Sequence, residues 1–566
     1  MAAAQTETCQ NCKQSFVIDP EDFDFYAKIK VPPPTFCPDC RQQRRYAFFN
    51  LFPLYKRACD LCHKESFSSY PPESPYVVYC PKCWWSDKWD PRSYGADYDF
   101  NRPFFEQFDE LMHRVPHLGL AVEMSAAETS PYMNYGGSDK NCYLVFNAEF
   151  NEDCLNGFYL FHTKSALDTS LAIETEKMYD SMHVWKVNNG TGLRYQVTES
   201  VDVGFLRDSR NCQDCFVSAN LRNKKYHIFN KAYSKEEYQE ERKKWDLGSY
   251  KQYRELAERA EKHWDALPYK SLYQDMAVNC TGNQIFECRN CRDCFEIMRC
   301  ENCRYVRQGD NIKSAYDVTA WSGVEGAYDS MAIGAQAANI RFTALGAIGA
   351  TNFEYSFLAI AGNDLFGCVS MKKGSHCILN KQYSEQEFRE LAPKIREHMA
   401  AMPYEDSRGR TYGYGEFFPI EISPFGYNET IAQNFHPMKP EEAKREGYKW
   451  YEGGRAPHEI TKRAEDLPDH VKDAGDDILK EAIGCARCGR AFRMPPMELQ
   501  ILRARNLPLP RWCPMCRIES KYDIWVKESR LLPFECPQCG VKTQISENLI
   551  GKSKVYCEGC YNKEVI

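Results

Sequence analysis

Apolar runs of eighteen residues or more, the length a membrane helix needs, are missing from this 566-residue sequence. Residues Met1 to Thr8 offer neither the basic flank nor the apolar stretch of a secretory signal, so the expected location is cytoplasmic. Net positive charge is also lacking. Lys and Arg number 72 against 79 Asp and Glu, for a net charge of -7 and a pI near 6.0, and any nucleic-acid contact would need local basic patches. Nucleophile and metalloprotease signatures are absent: there is no G-x-S-x-G and no H-E-x-x-H, and Gly551-Lys552-Ser553 lacks the upstream glycine of a phosphate loop. No catalytic residue is assigned. The histidines His63, His227 and His376 read as structural.

What the chain has in quantity is cysteine, 28 residues in all. In a reducing compartment these are metal ligands or small buried residues rather than a disulfide framework. Eight C-x2-C pairs organise the ends. Cys9 and Cys12, Cys37 and Cys40, Cys59 and Cys62, and Cys80 and Cys83 lie at the N-terminus. Cys485 and Cys488, Cys513 and Cys516, Cys536 and Cys539, and Cys557 and Cys560 lie at the C-terminus. The gaps between pairs are 24, 18 and 17 residues in the first set and 24, 19 and 17 in the second. The ends are therefore an internal duplication, and Phe16, Pro20, Pro32, Pro38 and Arg41 recur as Phe492, Pro496, Pro508, Pro514 and Arg517.

Two knuckles close a tetrahedron with no open position, which is the structural form of a zinc site. Segments of about 30 residues cannot bury a sufficient core alone, and a structural zinc supplies about 10–16 kcal/mol of apparent binding free energy to hold them. Four zinc sites are expected. Iron is the rival metal, because Cys536-Pro-Gln-Cys539-Gly540 would serve a rubredoxin-like site equally. Sequential ligand use closes shorter loops than a cross-brace and is favoured. Within the first loop, Asp19-Pro20-Glu21-Asp22 opens a short helix that Pro32 to Pro34 stops.

The middle of the chain has another period. Tyr316, Tyr328, Phe342, Tyr355, Phe366 and Ile378 recur at intervals of 11 to 14 residues, with a second row two positions on. This predicts strands in a narrow β-solenoid with about twelve residues per coil, or alternatively an antiparallel meander. Residues 138–233 look like a second copy, because Ile228-Phe-Asn-Lys-Ala-Tyr233-Ser-Lys-Glu-Glu237 echoes Ile378-Leu-Asn-Lys-Gln-Tyr383-Ser-Glu-Gln-Glu387. Both endings carry a capping box that starts a helix.

Between the copies lie Cys288, Cys291, Cys294, Cys300 and Cys303, a possible extra metal site. Three readings stand: stacked interior residues, an additional zinc, or an iron-sulfur cluster, although the spacing departs from the ferredoxin pattern.

The Cys37-Pro-Asp-Cys40-Arg41 knuckle, the run Tyr79-Cys80-Pro-Lys-Cys83-Trp84-Trp85-Ser-Asp-Lys-Trp89, the ending Phe229 to Glu237 and the stretch Ser423-Pro-Phe-Gly-Tyr-Asn-Glu-Thr430 extend over nearly the whole chain. Together they resemble a multi-zinc-ribbon family of small-genome uncultured bacteria. Proteins of that kind sometimes carry a coenzyme-A transferase label. The residues here give it no support, since neither a large doubly wound α/β pattern nor a nucleotide-binding glycine loop occurs.

The expected architecture is mainly β and multidomain. Twin zinc-ribbon modules at 1–90 and 481–566 flank solenoid copies at 138–233 and 276–383. Between them lie a linker with a short helix at 91–137, helical segments at 234–275 and 384–404, and an extended linker at 405–480. The expected function is a non-catalytic zinc scaffold or adaptor for a protein or ribonucleoprotein. Its candidate contacts are Arg41, Arg44, Arg45, Trp84 and Trp85 in one module and Arg503, Arg505 and Arg511 in the other, since arginine beside aromatic residues anchors interfaces and stacks on bases. The charge count restrains the nucleic-acid version. Residues 1–90 hold 11 basic and 11 acidic residues and 481–566 hold 14 and 9, and each four-thiolate zinc adds about -2. Direct nucleic-acid binding would be weak and would favour the C-terminal module. Iron-thiolate electron transfer and an enzyme site on the solenoid face are the alternatives.

Overall fold

A computed structural model describes residues 3–124, 129–454 and 458–565. Residues 125–128, within the 91–137 linker, and 455–457, within the 405–480 linker, lie outside the described residues. The chain is strand-rich and divides into two compact units, Met1–Leu120 with Tyr273–Glu452 and Ala121–Leu272 with Gly453–Ile566. Each unit joins one cysteine module to one strand copy, and the pairing is crossed. The N-terminal module folds with the second copy and the C-terminal module with the first.

Backbone conformation in both copies follows a three-residue rule. From Ser138 to Asn189 every third residue is left-handed, with φ between 47° and 60°, and the same holds from Glu287 to Tyr305. Asn and Asp tolerate this region better than other L-residues because their short polar side chains bond locally, and they fill many of these corners, among them Asn141, Asn147, Asp153, Asn156, Asp168 and Asp180. The residue after each corner faces inward. Cys142, Val145, Ala148, Asn151 and Cys154 are each 3% exposed or less, and Leu160, Thr163, Ala166, Thr169 and Ala172 likewise. The remaining residue of each triplet ties its rung to the next. The Arg289 N–H donates to the Cys300 carbonyl at 3.0 Å, and the Asn302 N–H donates back to the Arg289 carbonyl at 3.0 Å.

Four triplets return the chain to the same place one rung on. In the first copy Leu155, Leu167, Tyr179, Thr191, Gly204, Phe216 and Ile228 pair in sequence, all parallel. Parallel pairing rules out the antiparallel meander. Exposed corner side chains add a second ladder, in which the Asn279 amide donates to Asn290 at 3.0 Å and the Asn290 amide to Asn302 at 3.1 Å.

The duplicated endings terminate these ladders alike. The Asn230 side-chain amide exchanges two hydrogen bonds with the Ala219 backbone, at 2.7 and 3.0 Å, and Asn380 does so with Val369 at 2.8 Å twice. The chain then doubles back in a short antiparallel pair and enters a helix capped by Ser234 with Glu237, or Ser384 with Glu387.

The recurring aromatic residues lie outside the interior of the strand copy. They line a lateral face on which the N-terminal segment packs: Phe25 stacks on Tyr316 at 3.9 Å, Tyr26 meets Tyr328 at 5.4 Å, and Phe104 meets Tyr355 and Phe366 at 5.3 and 5.5 Å. Phe353, which follows the left-handed corner Asn352, does join the interior cluster. Within the expected linker 405–480, Phe417, Phe418, Phe425 and Tyr427 are buried.

Candidate metal centres

Four clusters of four cysteines form among the described residues: Cys9, Cys12, Cys37 and Cys40; Cys59, Cys62, Cys80 and Cys83; Cys485, Cys488, Cys513 and Cys516; and Cys536, Cys539, Cys557 and Cys560. Within each, the sulfurs all lie within 4.8 Å of one another. The grouping is sequential, not cross-braced. Sulfur–sulfur distances of 3.7 Å for Cys12 and Cys37, 3.9 Å for Cys488 and Cys513, and 3.6 Å for Cys539 and Cys557 are far too long for disulfides. They match the edge of about 3.8 Å of a tetrahedron with metal–sulfur bonds of about 2.3 Å.

Local sequence explains each half of a cluster. The first knuckle of every pair turns through a left-handed residue just after its second cysteine: Lys13, His63, Gly489 and Gly540 have φ of 61°, 58°, 72° and 71°. His63 is thus a turn residue. The second knuckle opens a helix. Cys37, Cys80 and Cys513 are N-caps followed by proline, before helices Pro38–Tyr46, Pro81–Trp84 and Pro514–Glu528. Thiolates at a helix N-terminus are stabilised by its unpaired N–H groups and dipole.

Further donors converge on the sulfurs. The Cys80 N–H donates to Cys59 Sγ at 3.2 Å, the Cys513 N–H to Cys485 Sγ at 3.1 Å, and the Asn11 amide to Cys40 Sγ at 3.3 Å. Burial works against the Cys488 thiolate, yet the Arg490 Nε 3.4 Å away, the Arg490 backbone and the thiols of Cys516 and Cys485 together outweigh it and bring that thiol down to about 6. Such outer partners fix ligand orientation and spread the charge of four thiolates. All four donors are sulfur and all four corners are filled, so a bound ion would have no open position for substrate.

The candidate contact arginines have other work. Arg41 binds Asp317 at 2.8 Å, Arg44 binds Asp329 at 3.1 Å and Glu416 at 3.0 Å, and Arg45 binds Asp329 at 2.6 Å and Asp317 at 3.2 Å. None of the three arginine side chains exceeds 3% exposure. Trp84 is fully buried and donates to the Pro116 carbonyl at 3.2 Å, while Trp85 is half-buried. In the other unit Arg511 is buried against the carbonyls of Leu467 and Pro468, and Arg505 holds Asn189, Gly190 and Thr191 of the strand copy. Arg503 binds Asp476 at 2.6 Å and keeps part of its side chain in solvent. Arg41, Arg44, Arg45, Trp84 and Arg511 therefore cannot serve as contacts for an outside partner, because folding has already consumed them.

The central cysteines take the interior positions of the triplets. Cys288, Cys291, Cys294, Cys300 and Cys303 are 2% exposed or less. Each thiol donates to the carbonyl two residues earlier: Cys291 to Arg289 at 3.4 Å, Cys303 to Glu301 at 3.4 Å. They occupy the place that Ser, Thr, Val and Ala take in other rungs, and they are not among the four-sulfur clusters formed by the described residues.

Compared with family models and with curated proteins, the chain matches none. Among the described residues no helix is long and apolar enough to cross a membrane.

Proposed function

We propose that this protein is a non-catalytic, cytoplasmic zinc scaffold that binds a protein partner, each terminal module fastening the outer face of a narrow β-solenoid. The observation that carries this reading is the closed four-sulfur geometry, repeated four times and, at Cys40 and Cys516, continued directly into helices whose cations enter buried ion pairs with the strand copy. A closed site organises structure rather than activating substrate. Rungs paired in parallel every twelve residues or so, with four left-handed corners each, support the solenoid reading of both copies.

A protein partner is favoured over a ribonucleoprotein because the arginines that made the case for phosphate or base contact are spent internally. Membership of the multi-zinc-ribbon family belongs to this same reading.

Metal analysis with a visible spectrum of purified protein tests it. Four zinc ions per chain and no absorption above the ultraviolet are expected. Iron at these sites, with the colour of iron-thiolate, would replace the scaffold reading with electron transfer.

A further inference from the structure

Three of the four ladder ends are closed by the chain itself. In one unit the first rung is covered by 121–123, where the Glu123 N–H donates to the Gly136 carbonyl and the Gly136 N–H to Ala121, both at 3.1 Å. Both final rungs end in the asparagine amide and the doubled-back strand described above. The fourth end, the first rung of the second copy around Met276 to Gly282, has no such cover.

That end is open in two respects. One rung on, corner N–H groups and interior carbonyls bond the preceding rung, as the Asn290 N–H does with the Val278 carbonyl at 2.9 Å and the Cys288 carbonyl with the Val278 N–H at 2.9 Å. Here the corner N–H groups of Met276 and Asn279 and the interior carbonyl of Ala277 find no partner among the described residues. The side chains are uncovered too. Met276 is 66% exposed and Val278 58%, and the interior residues Ala277 and Cys280 are only partly buried, whereas Cys288 and Cys291 one rung below are at 2% and 0%.

Edge strands are normally blunted by charge or proline. From Met276 to Phe286 this chain has neither.

We propose that this edge is the pairing site for a second copy of the same chain. The free groups are self-complementary. With a two-fold axis beside Val278, the Asn279 N–H of each copy faces the Ala277 carbonyl of the other, which is the wide pair of an antiparallel ladder with Val278 opposite its own copy. Such pairing satisfies the Asn279 N–H and the Ala277 carbonyl of both edges at once and lets each half-covered layer of Ala277 and Cys280 be sealed by its counterpart. The absence of charge argues against a partner chosen by electrostatics. This inference stands on the ladder alone and does not depend on the metal.

The test is the mass of the metal-loaded full chain by sedimentation equilibrium, from low micromolar to about 100 µM, for the natural protein and for Val278→Glu. Val278 is exposed, so the variant should fold, with unchanged circular dichroism and metal content. In the pair its carboxylates would face each other directly, an arrangement that destabilises cross-strand pairing. The expected result is a dimer that Val278→Glu weakens at least tenfold, with the Asn279 amide slow to exchange in the natural protein and fast in the variant. A natural protein that stays monomeric throughout, or a dimer that the variant leaves equally strong, would overturn the proposal.

Discussion

Arg517 Nη1 lies 2.6 Å from Asp168 Oδ2, and one turn along the same helix Lys521 Nζ lies 2.7 Å from Asp180 Oδ1. The duplicate repeats the arrangement with Arg41 on Asp317 and Arg45 on Asp329. Two periodicities meet here. Helix residues four apart are about 5–6 Å from one another, and rungs of a parallel ladder are about 4.8 Å apart. A cation one residue after the last knuckle cysteine and another four later thus face two aspartates twelve apart in sequence. All four aspartates are left-handed corners, with φ of 52°, 47°, 57° and 39°. Each module docks by reading rung spacing.

Asp329→Asn should consequently be far more damaging than its conservative shape suggests. It leaves Arg44 and Arg45 with reduced compensation at 1% and 3% exposure, and breaking a buried pair costs about 3–5 kcal/mol. Urea unfolding should show that loss. Lys56→Ala, which removes an exposed pair with Glu65, should stay within about 0.5 kcal/mol of the natural protein. Comparable losses from both would mean that the docking aspartates are not special.

Removing metal should loosen the modules before the ladders. A strong chelator is expected to expose the knuckle hairpins 5–18 and 531–546 to protease, while fragments spanning roughly 143–228 and 282–378 persist, because stacked repeats support one another through neighbouring contacts. Limited proteolysis with mass mapping reads this directly. Should the ladder fragments vanish as fast as the hairpins, metal binding is required for the whole fold. Cys291→Ser with Cys294→Ser would then show whether the central thiols hold metal, by loss of bound ion together with the resistant core.

Much of this was legible in the sequence, and the limits have a physical basis. Knuckle spacing found the sixteen cysteines, and the helix starts at Pro20, Ser234 and Ser384 followed from capping chemistry. The twelve-residue period is visible through Tyr316, Tyr328 and Phe366, but the three-residue corner period within it matches neither the strand period of two nor the helix period of 3.6. Asn and Asp at 141, 147, 153, 156, 168 and 180 carried that signal. The docking aspartates were missed for the same reason, since Asp317 and Asp329 acquire meaning only once the corner rule places them on adjacent rungs. Arginine beside aromatic residues suggests an interface, and it was one, but within the chain.

The corner rule makes its own prediction. Lys177 is exposed and left-handed, with φ of 55°, a conformation that costs an ordinary L-residue about 1–2 kcal/mol and Asn less. Lys177→Asn should raise stability by up to about 1 kcal/mol, and Lys177→Val, whose branched side chain fits this region worst, should lower it by a similar amount. Denaturant midpoints at constant slope would measure both. Equal effects of Asn and Val would contradict the rule.

His117 sets an acid limit on the first unit. Its ring is fully buried between the Tyr70 hydroxyl, 2.9 Å from Nδ1, and the Met112 carbonyl, which accepts from Nε2 at 2.8 Å. Burial pushes its pKa down to about 3, with His113 and Arg57 adding to the depression. The imidazole is therefore neutral in the folded protein but takes a proton in the unfolded chain below about 6.5. Its contribution is fully present above that value and is lost as pH falls toward 3. Linkage gives a loss of about 1.4 kcal/mol by pH 5.5. His117→Phe cannot titrate, so although its stability at pH 7.5 should be lower, its decline between pH 7.5 and 5.5 should be shallower by about that amount. Thiolate protonation at the metal clusters affects both proteins alike and drops out of the difference. Parallel declines in the two would show that His117 is protonated in the folded state as readily as in the unfolded one.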